Sequence, residues 1–450
     1  GESVIGASVV VKGTTNGTIT DFDGKFTLTN VPESGTIEIS FVGYKTVNVA
    51  VKGQSTIKVI LEEDTETLEE VVVVGYGVQK KSDVTGALTQ VSSKTIRERP
   101  VQNALQAMQG KAAGVQITSN NRPGELGDVR IRGSRSLNAS NDPLYVIDGI
   151  PMSVGSMADV NPNDIESMEI LKDASATAIY GSKGANGVVL ITTKHGKAGK
   201  INITAKAETT YNMRTITPEF ENGVNYANFL NEARITRNYE PVYQPEELDI
   251  IRLGLDPDLY PNVDWMDLLL KEGAWQHRVN LNMNGGGNTA RYFVSFSYLD
   301  EQGMYNTDSS LKGDYNTNAD YRRYNYRMNT DIDITKSTLL KLGVSGYLSK
   351  RNSPGLGDSD VWGELFGYTP IRTPVLYSNG YVPAVGTGNK TNPWVAATQT
   401  GFNENWKNTI QTNVTLEQKL DFITKNLKFV GRFGYDTYND NTVKRHKWPE

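Results

Sequence analysis

The chain contains no cysteine. That one absence removes disulfides, thiolate metal sites and a cysteine nucleophile together. Histidine is almost as scarce: His195, His277 and His446 stand in different segments and match no metal-ligand spacing. No phosphate-binding loop or nucleophile elbow is present, and Gly285-Gly286-Gly287 lacks the strand-to-helix context such a loop needs. The expectation is therefore no catalytic residue, no metal and no cofactor, so the chain is not read as an enzyme. Positive charge is not in excess, with 46 Lys and Arg against 51 Asp and Glu, a net charge of −5. That leaves no electrostatic footprint for nucleic acid. Nor is there a run of 18 apolar residues, and mean hydropathy is −0.44. A transmembrane helix is excluded, but a β-barrel is not, because its alternating strands average to a polar hydropathy. No signal peptide precedes Gly1-Glu2-Ser3, which reads as a mature or trimmed start.

What is present divides into four parts, and 450 residues allow about three domains. Residues 1–63 hold short alternating runs at Ser8–Lys12, Lys25–Thr29, Thr36–Phe41, Val47–Val51 and Thr56–Leu61. Regular short strands predict a small β-sandwich. Asp23-Gly24 marks a hairpin, and Asp21-Phe22-Asp23-Gly24 is not a calcium loop because the distal Glu is missing. Residues 64–82 read as a polar linker carrying one exposed strand-forming run, Val71–Val74, with no partner strand evident. Residues 83–196 read as a mixed α/β domain, with a helix over Pro100–Gly114 that sets Ala104, Leu105, Met108 and Ala112 on one side. Short strands follow at 116–117, 129–131, 144–147, 167–171 and 188–192, with helical turns at 163–165 and 174–180.

From Ile201 onward, seven segments alternate with period two. Tyr324, Tyr326 and Met328 oppose Asn325, Arg327 and Asn329, for example, while Phe293 and Leu299 interrupt an otherwise polar face. Alternation also occurs in soluble antiparallel sheets. Two further features favour a membrane wall. Connections alternate between long (212–276, 301–320, 350–408) and tight (285–288, 336–338, 421–426), as in outer-membrane barrels. Aromatics gather at the long-loop ends: Tyr211, Trp275, Tyr298, Tyr321, Tyr347, Trp406 and Tyr435. Seven strands cannot close a barrel around a domain of ~100 residues, which needs about 22. The chain is therefore expected to be a fragment or one chain of a split barrel.

Several runs resemble the SusC/RagA-like TonB-dependent transporters of Bacteroidetes-type bacteria, across all 450 residues. Gly17–Phe26 and Phe41-Val42-Gly43-Tyr44 resemble the carboxypeptidase-regulatory-like extension of that family. Leu68–Gly77 resembles its TonB box, and 103–117, 129–133, 143–151 and 163–194 resemble its plug motifs. The resemblance implies a mainly β protein with a small β-sandwich extension (1–63), a linker with the TonB box (64–82), an α/β plug (83–196) and the first strands and loops of an antiparallel transmembrane barrel (197–450). It implies outer-membrane localisation with a periplasmic N-terminal extension. It also implies three partners: TonB with its ExbB–ExbD motor, a SusD-like surface lipoprotein acting as a lid, and the lipids around the barrel. A dimer of such pairs is left open. The cargo would be oligosaccharide, or oligopeptide in some members. Glu69, Glu70, Val71, Val72, Val73, Val74, Gly75, Tyr76 and Gly77 would bind TonB. Candidate cargo contacts are Arg135, Asn138 and Asn141 on a polar plug loop, and Trp362 and Trp394 in the loop after the fifth barrel strand. A surface adhesin would need neither plug nor TonB box. A siderophore- or vitamin-type receptor, the remaining alternative, would share the plug and barrel but need no lid, and the N-terminal extension argues for the SusC-like class over it.

Overall fold

The computed structural model describes residues 4, 6–14, 16–41, 46–61, 71–74, 77–80, 88–97, 104–118, 122–125, 127–138, 140–152, 160–173, 177–311, 315–383 and 391–448. The chain forms two compact units, 1–85 and 86–450.

In the first unit, β1 (Ser8–Val11), β2 (Gly17–Ile19), β3 (Thr36–Ser40) and β4 (Val47–Ala50) form one antiparallel sheet in the order β2-β1-β3-β4. Their alternation puts Val9, Ile37 and Ile39 on one face, and Val51 joins them in a small core. The expected strands at 25–29 and 56–61 make no ladder. They run extended over that face instead, and Phe26, Leu28, Ile57, Val59 and Leu61 supply the second layer. The Asp21 carboxylate closes the predicted turn by accepting from the N–H groups of Asp23 and Lys25. The β-branched run β5 (Val71–Val74) is not unpartnered. It pairs with β6 (Gly77–Lys80) in register Val71↔Lys80 to Val74↔Gly77. Two intervening residues are the commonest hairpin spacing, a signal the linker reading overlooked.

The second unit opens with the α/β domain. β7 (Leu88–Ser92), β10 (Leu144–Ile147), β11 (Ile150–Pro151), β12 (Ile165–Leu171) and β13 (Val188–Thr193) build a sheet in the order β11-β10-β13-β12-β7, with only β10 and β13 parallel. β8 (Val115–Thr118) and β9 (Asp128–Ile131) form a separate hairpin. The helix expected over 100–114 spans only Ala104–Met108 among the described residues, yet Ala104, Met108 and Ala112 are buried in the core as the spacing requires. Gly110, at φ 72°, takes a left-handed conformation just past its end, and Gly114, at φ 75°, does so just before β8.

The seven alternating segments become β14 (Gly199–Met213), β15 (Gly273–Gly286), β16 (Ala290–Glu301), β17 (Tyr321–Asp333), β18 (Thr338–Pro354), β19 (Gly401–Lys419) and β20 (Lys428–His446). They pair consecutively and antiparallel, with β14 and β20 as the sheet edges. Adjacent residues on β17 show its polarity: Met328 is 45% exposed and Asn329 is 1% exposed. Val279, Leu281, Phe296, Tyr324 and Leu348 are exposed, while Arg278, Asn280, Ser295, Asn325, Arg327 and Ser345 are buried. A soluble sheet buries its apolar face; this one buries its polar face. Phe293 and Leu299, which broke the pattern, are buried with the polar face. Tyr211 and Trp275 (4.9 Å between rings), Tyr298 and Tyr324 (5.0 Å) and Trp406 do sit near the long-loop ends. Three expected belt residues do not serve there. Tyr321 and Tyr347 are buried on the inner face, and Tyr435 lies mid-wall opposite Thr412. A one-residue change of parity moves a side chain across the sheet, and aromatic type alone does not reveal parity.

Candidate functional site

The polar inner face of the wall is covered by the α/β domain, and hydrogen bonds and ion pairs join the two. Arg327 on β17 is buried between two carboxylates of that domain, 3.9 Å from Asp148 and 3.6 Å from Asp164. Asp148 is held in place by the backbone N–H and hydroxyl of Thr193, at 2.8 and 2.7 Å. Burial pushes the Asp164 carboxyl above its ordinary range, with Arg327, Ser295 and Lys194 pulling the other way. Two residues along β17, Asn329 donates to the Thr193 hydroxyl (2.8 Å) and the Lys194 carbonyl (2.7 Å). Another two along, Asp331 meets His195 Nδ1 at 2.9 Å. Burial alone would lower the His195 pKa, but the hydrogen bond with Asp331 and the charges of Asp148 and Asp331 outweigh it and raise it.

These contacts fix direction. The C-terminal end of β13 lies at the tight-turn end of the wall, so its N-terminal end, with Leu144 of the parallel β10, faces the long-loop end. The loop before Leu144 is therefore the domain's outward tip. At that end Gly124 donates to Glu301 (3.2 Å), and Arg351 bridges Glu125 (2.7 Å) and Asp358 (3.1 Å).

The predicted cargo residues fall into two groups. Arg135, Asn138 and Asn141 share the outward tip. Asn141 Oδ1 accepts from the N–H groups of Arg135 (2.7 Å) and Ser136 (2.9 Å), and its Nδ2 donates to the Ser136 carbonyl (2.7 Å), so it shapes the loop. Arg135 donates to the Ala185 carbonyl, and Asn138 is exposed. Beside them Leu137 is fully exposed, an apolar tip that the reading of a polar loop passed over. Trp362 and Trp394 belong to the long connections, which fold into helices at Gly223–Ile235, Pro245–Leu253, Trp265–Leu269, Asp358–Gly367 and Pro393–Thr398. Both tryptophans are partly buried against a core of Trp265, Leu269, Tyr305, Val361 and Leu365, and Trp362 stacks on Phe366 at 5.6 Å. These helices carried readable signals: Asn222 and Asn392 cap by accepting from a backbone N–H, Pro245 opens its helix, and Glu247 completes a capping box by accepting from the Gln244 N–H. Of the expected TonB-binding residues, Val71–Val74 and Gly77 lie in the β5–β6 hairpin, while Glu69, Glu70, Gly75 and Tyr76 lie outside the described residues.

Comparison with known proteins matches residues 80–188 to the TonB-dependent Receptor Plug Domain and residues 1–73 to the CarboxypepD_reg-like domain. The TonB-dependent receptor P26 of Formosa agariphila is 40% identical over 428 residues, covering 91% of this chain and 39% of the relative. The TonB-dependent receptor SusC of Bacteroides thetaiotaomicron is 35% identical over 465 residues, covering 97% of this chain and 41% of the relative. The chain belongs to the SusC-like TonB-dependent transporters. Solved structures of the RagAB peptide importer share its fold, with a TM-score of 0.66 and 28% identity in the open-open state, over 83% of this chain and 43% of that one. The SusC-like chain thus spans about two fifths of the length of the curated relatives it matches. The α/β domain is the plug, and the seven strands are part of a barrel wall.

Proposed function

We propose that the protein imports oligosaccharides across the outer membrane, drawing its energy from TonB and working as the barrel of a complex with a SusD-like lipoprotein lid. The observation that carries this reading is the inverted sheet: its apolar face is bare, and its polar face is plugged. The outward apolar residues run from Tyr324 on β17 to Ile334 just past its end, ~34 Å at about 3.4 Å per residue. At the usual barrel tilt of roughly 40° that spans about 25 Å, the height of the apolar band of such walls.

The outer membrane offers no nucleotide or ion gradient, so work must arrive through a mechanical link. Val71–Val74 suits that link: opened from Gly77–Lys80, its backbone can add to an exposed sheet edge of TonB. Tension there would draw on the plug, whose polar contacts separate stepwise. Cargo would then meet Arg135, Leu137 and Asn138 at the tip, with Trp362 and Trp394 at the loops above. Oligopeptide is the second cargo reading, favoured by the fold shared with the RagAB peptide importer.

Two experiments test this. The full-length protein is extracted from its native membrane in mild detergent, and co-purifying chains and cargo are identified by mass spectrometry. A stoichiometric SusD-like lipoprotein with bound glycan supports the reading; bound peptide selects the second cargo; a barrel extracted alone overturns the lid. In cells, Val72→Pro removes one backbone donor. The variant is expected to insert normally and lose uptake, and normal uptake would overturn the role of this strand.

A further inference from the structure

The register of the wall places its outward residues in rungs. One rung holds Val279, Tyr298, Tyr324 and Leu348, the upper edge of the apolar band. The next toward the long loops holds His277, Asp300, Arg322, Lys350 and Trp406. Polarity therefore changes within one rung, at the depth where an aromatic belt gives way to lipid headgroups. On that boundary lies a cavity of about 290 Å³, lined by Tyr315, Asp320, Arg322, Lys350, Phe402 and Glu404. It opens on the outer surface of β17–β19, away from the plug. All three strands have neighbours on both sides, so the wall around it is complete.

The lining is organised. Tyr315 and Phe402 stack at 5.9 Å and offer an apolar floor. Arg322 and Lys350 are paired across the ladder and present two cations side by side. Asp300 holds Arg322 through Nε at 2.9 Å, and the Arg322 side chain is still 55% exposed. Glu404 holds Lys350 at 2.6 Å, while the Lys350 ammonium lies 4.9 Å from the Trp406 ring. An aromatic floor accepts a sugar ring face, two fixed cations accept a phosphate, and the Asp320 and Glu404 carboxylates accept sugar hydroxyls.

We propose that this cavity binds the phosphorylated amino-sugar headgroup of an outer-leaflet glycolipid, anchoring the wall in its own membrane independently of cargo. The assignment to the outer leaflet rests on the long loops facing the cell exterior.

The test is native mass spectrometry of the full-length protein in detergent, titrated with bisphosphorylated lipid A, with its deacylated disaccharide bisphosphate, or with phosphatidylglycerol. Wild type is expected to retain lipid A in preference to phosphatidylglycerol, and the deacylated disaccharide should compete. Arg322→Gln with Lys350→Gln should weaken lipid A roughly ten- to thirtyfold, the loss expected from two cations facing an anionic headgroup. Tyr315→Ala keeps every charge and should weaken both sugar ligands severalfold while leaving phosphatidylglycerol unchanged. Heat-modified gel migration verifies that each variant is folded. Undiminished lipid A on a folded double variant, equal retention of phosphatidylglycerol, or failure of the deacylated disaccharide to compete would each overturn the proposal. Orientation is read separately. Val242→Cys on an exposed long-loop position should react with an impermeant maleimide on intact cells beyond the level of the parent protein. Failure there would overturn the orientation, while the titration still decides the ligand.

Discussion

Arg327 shows how one side chain can tie two bodies together. It is buried with two carboxylates from the plug, so neither side of the contact is tolerable without the other. Arg327→Met leaves Asp148 and Asp164 without their cation, and removing one partner of a buried pair costs about 3–5 kcal/mol. The expected result is a plug that exchanges amide hydrogens far faster while the wall stays protected, measured on the full-length protein. Adding Asp164→Asn should restore part of the protection. His195 makes a pH-dependent contact beside it. Its folded pKa is raised above the unfolded value of about 6.5, so its stabilisation is complete below that value and fades as pH rises through the folded one. Exchange in residues 188–196 should therefore quicken from pH 6 to pH 8.5 beyond the intrinsic chemical rate, and His195→Asn should abolish that excess.

At the scale of elements, Gly196 connects the plug to β14 at a point where a Cβ would run into the backbone of Tyr292. Gly196→Ala must shift the connection or the strand, and overpacking of this kind costs about 1–3 kcal/mol. A lowered thermal midpoint of the full-length protein would show it; an unchanged midpoint would mean the linker yields freely. All seven wall strands were legible because period-two alternation is local and long. The helices of the outer loops were legible in part, through Asn222, Pro245 and Glu247, but these signals are short and sit inside connections whose length invites a loop reading. The short helix at Ala104–Met108 shows the opposite limit. Its buried positions were readable, but its end at Met108 rather than near Gly114 was not, because the core rather than propensity sets where a short helix stops.

For the whole molecule, the depth of each wall residue in the bilayer should decide its tolerance of charge. Met328 lies within the outward apolar band, and Arg there is expected to cost about 2–4 kcal/mol of folding into a bilayer. Thr209 pairs with His277 on the charged rung, and Thr209→Arg should cost roughly 0–1 kcal/mol. Equal costs at both positions, measured by denaturant titration of the full-length protein in lipid vesicles, would contradict a membrane wall.

The sequence by itself determined the seven wall strands, their order and the composition of their two faces, since these depend on neighbours in the chain. It also carried the plug motifs. Only the tertiary structure decided which face is buried, because an alternating strand reads the same whether its apolar side meets a core or a lipid. It likewise decided that Tyr321 and Tyr347 turn inward, that Trp362 and Trp394 pack against a loop core, and that Arg327 finds Asp148 and Asp164. Those are contacts between residues far apart in sequence, and they exist only once plug and wall are brought together.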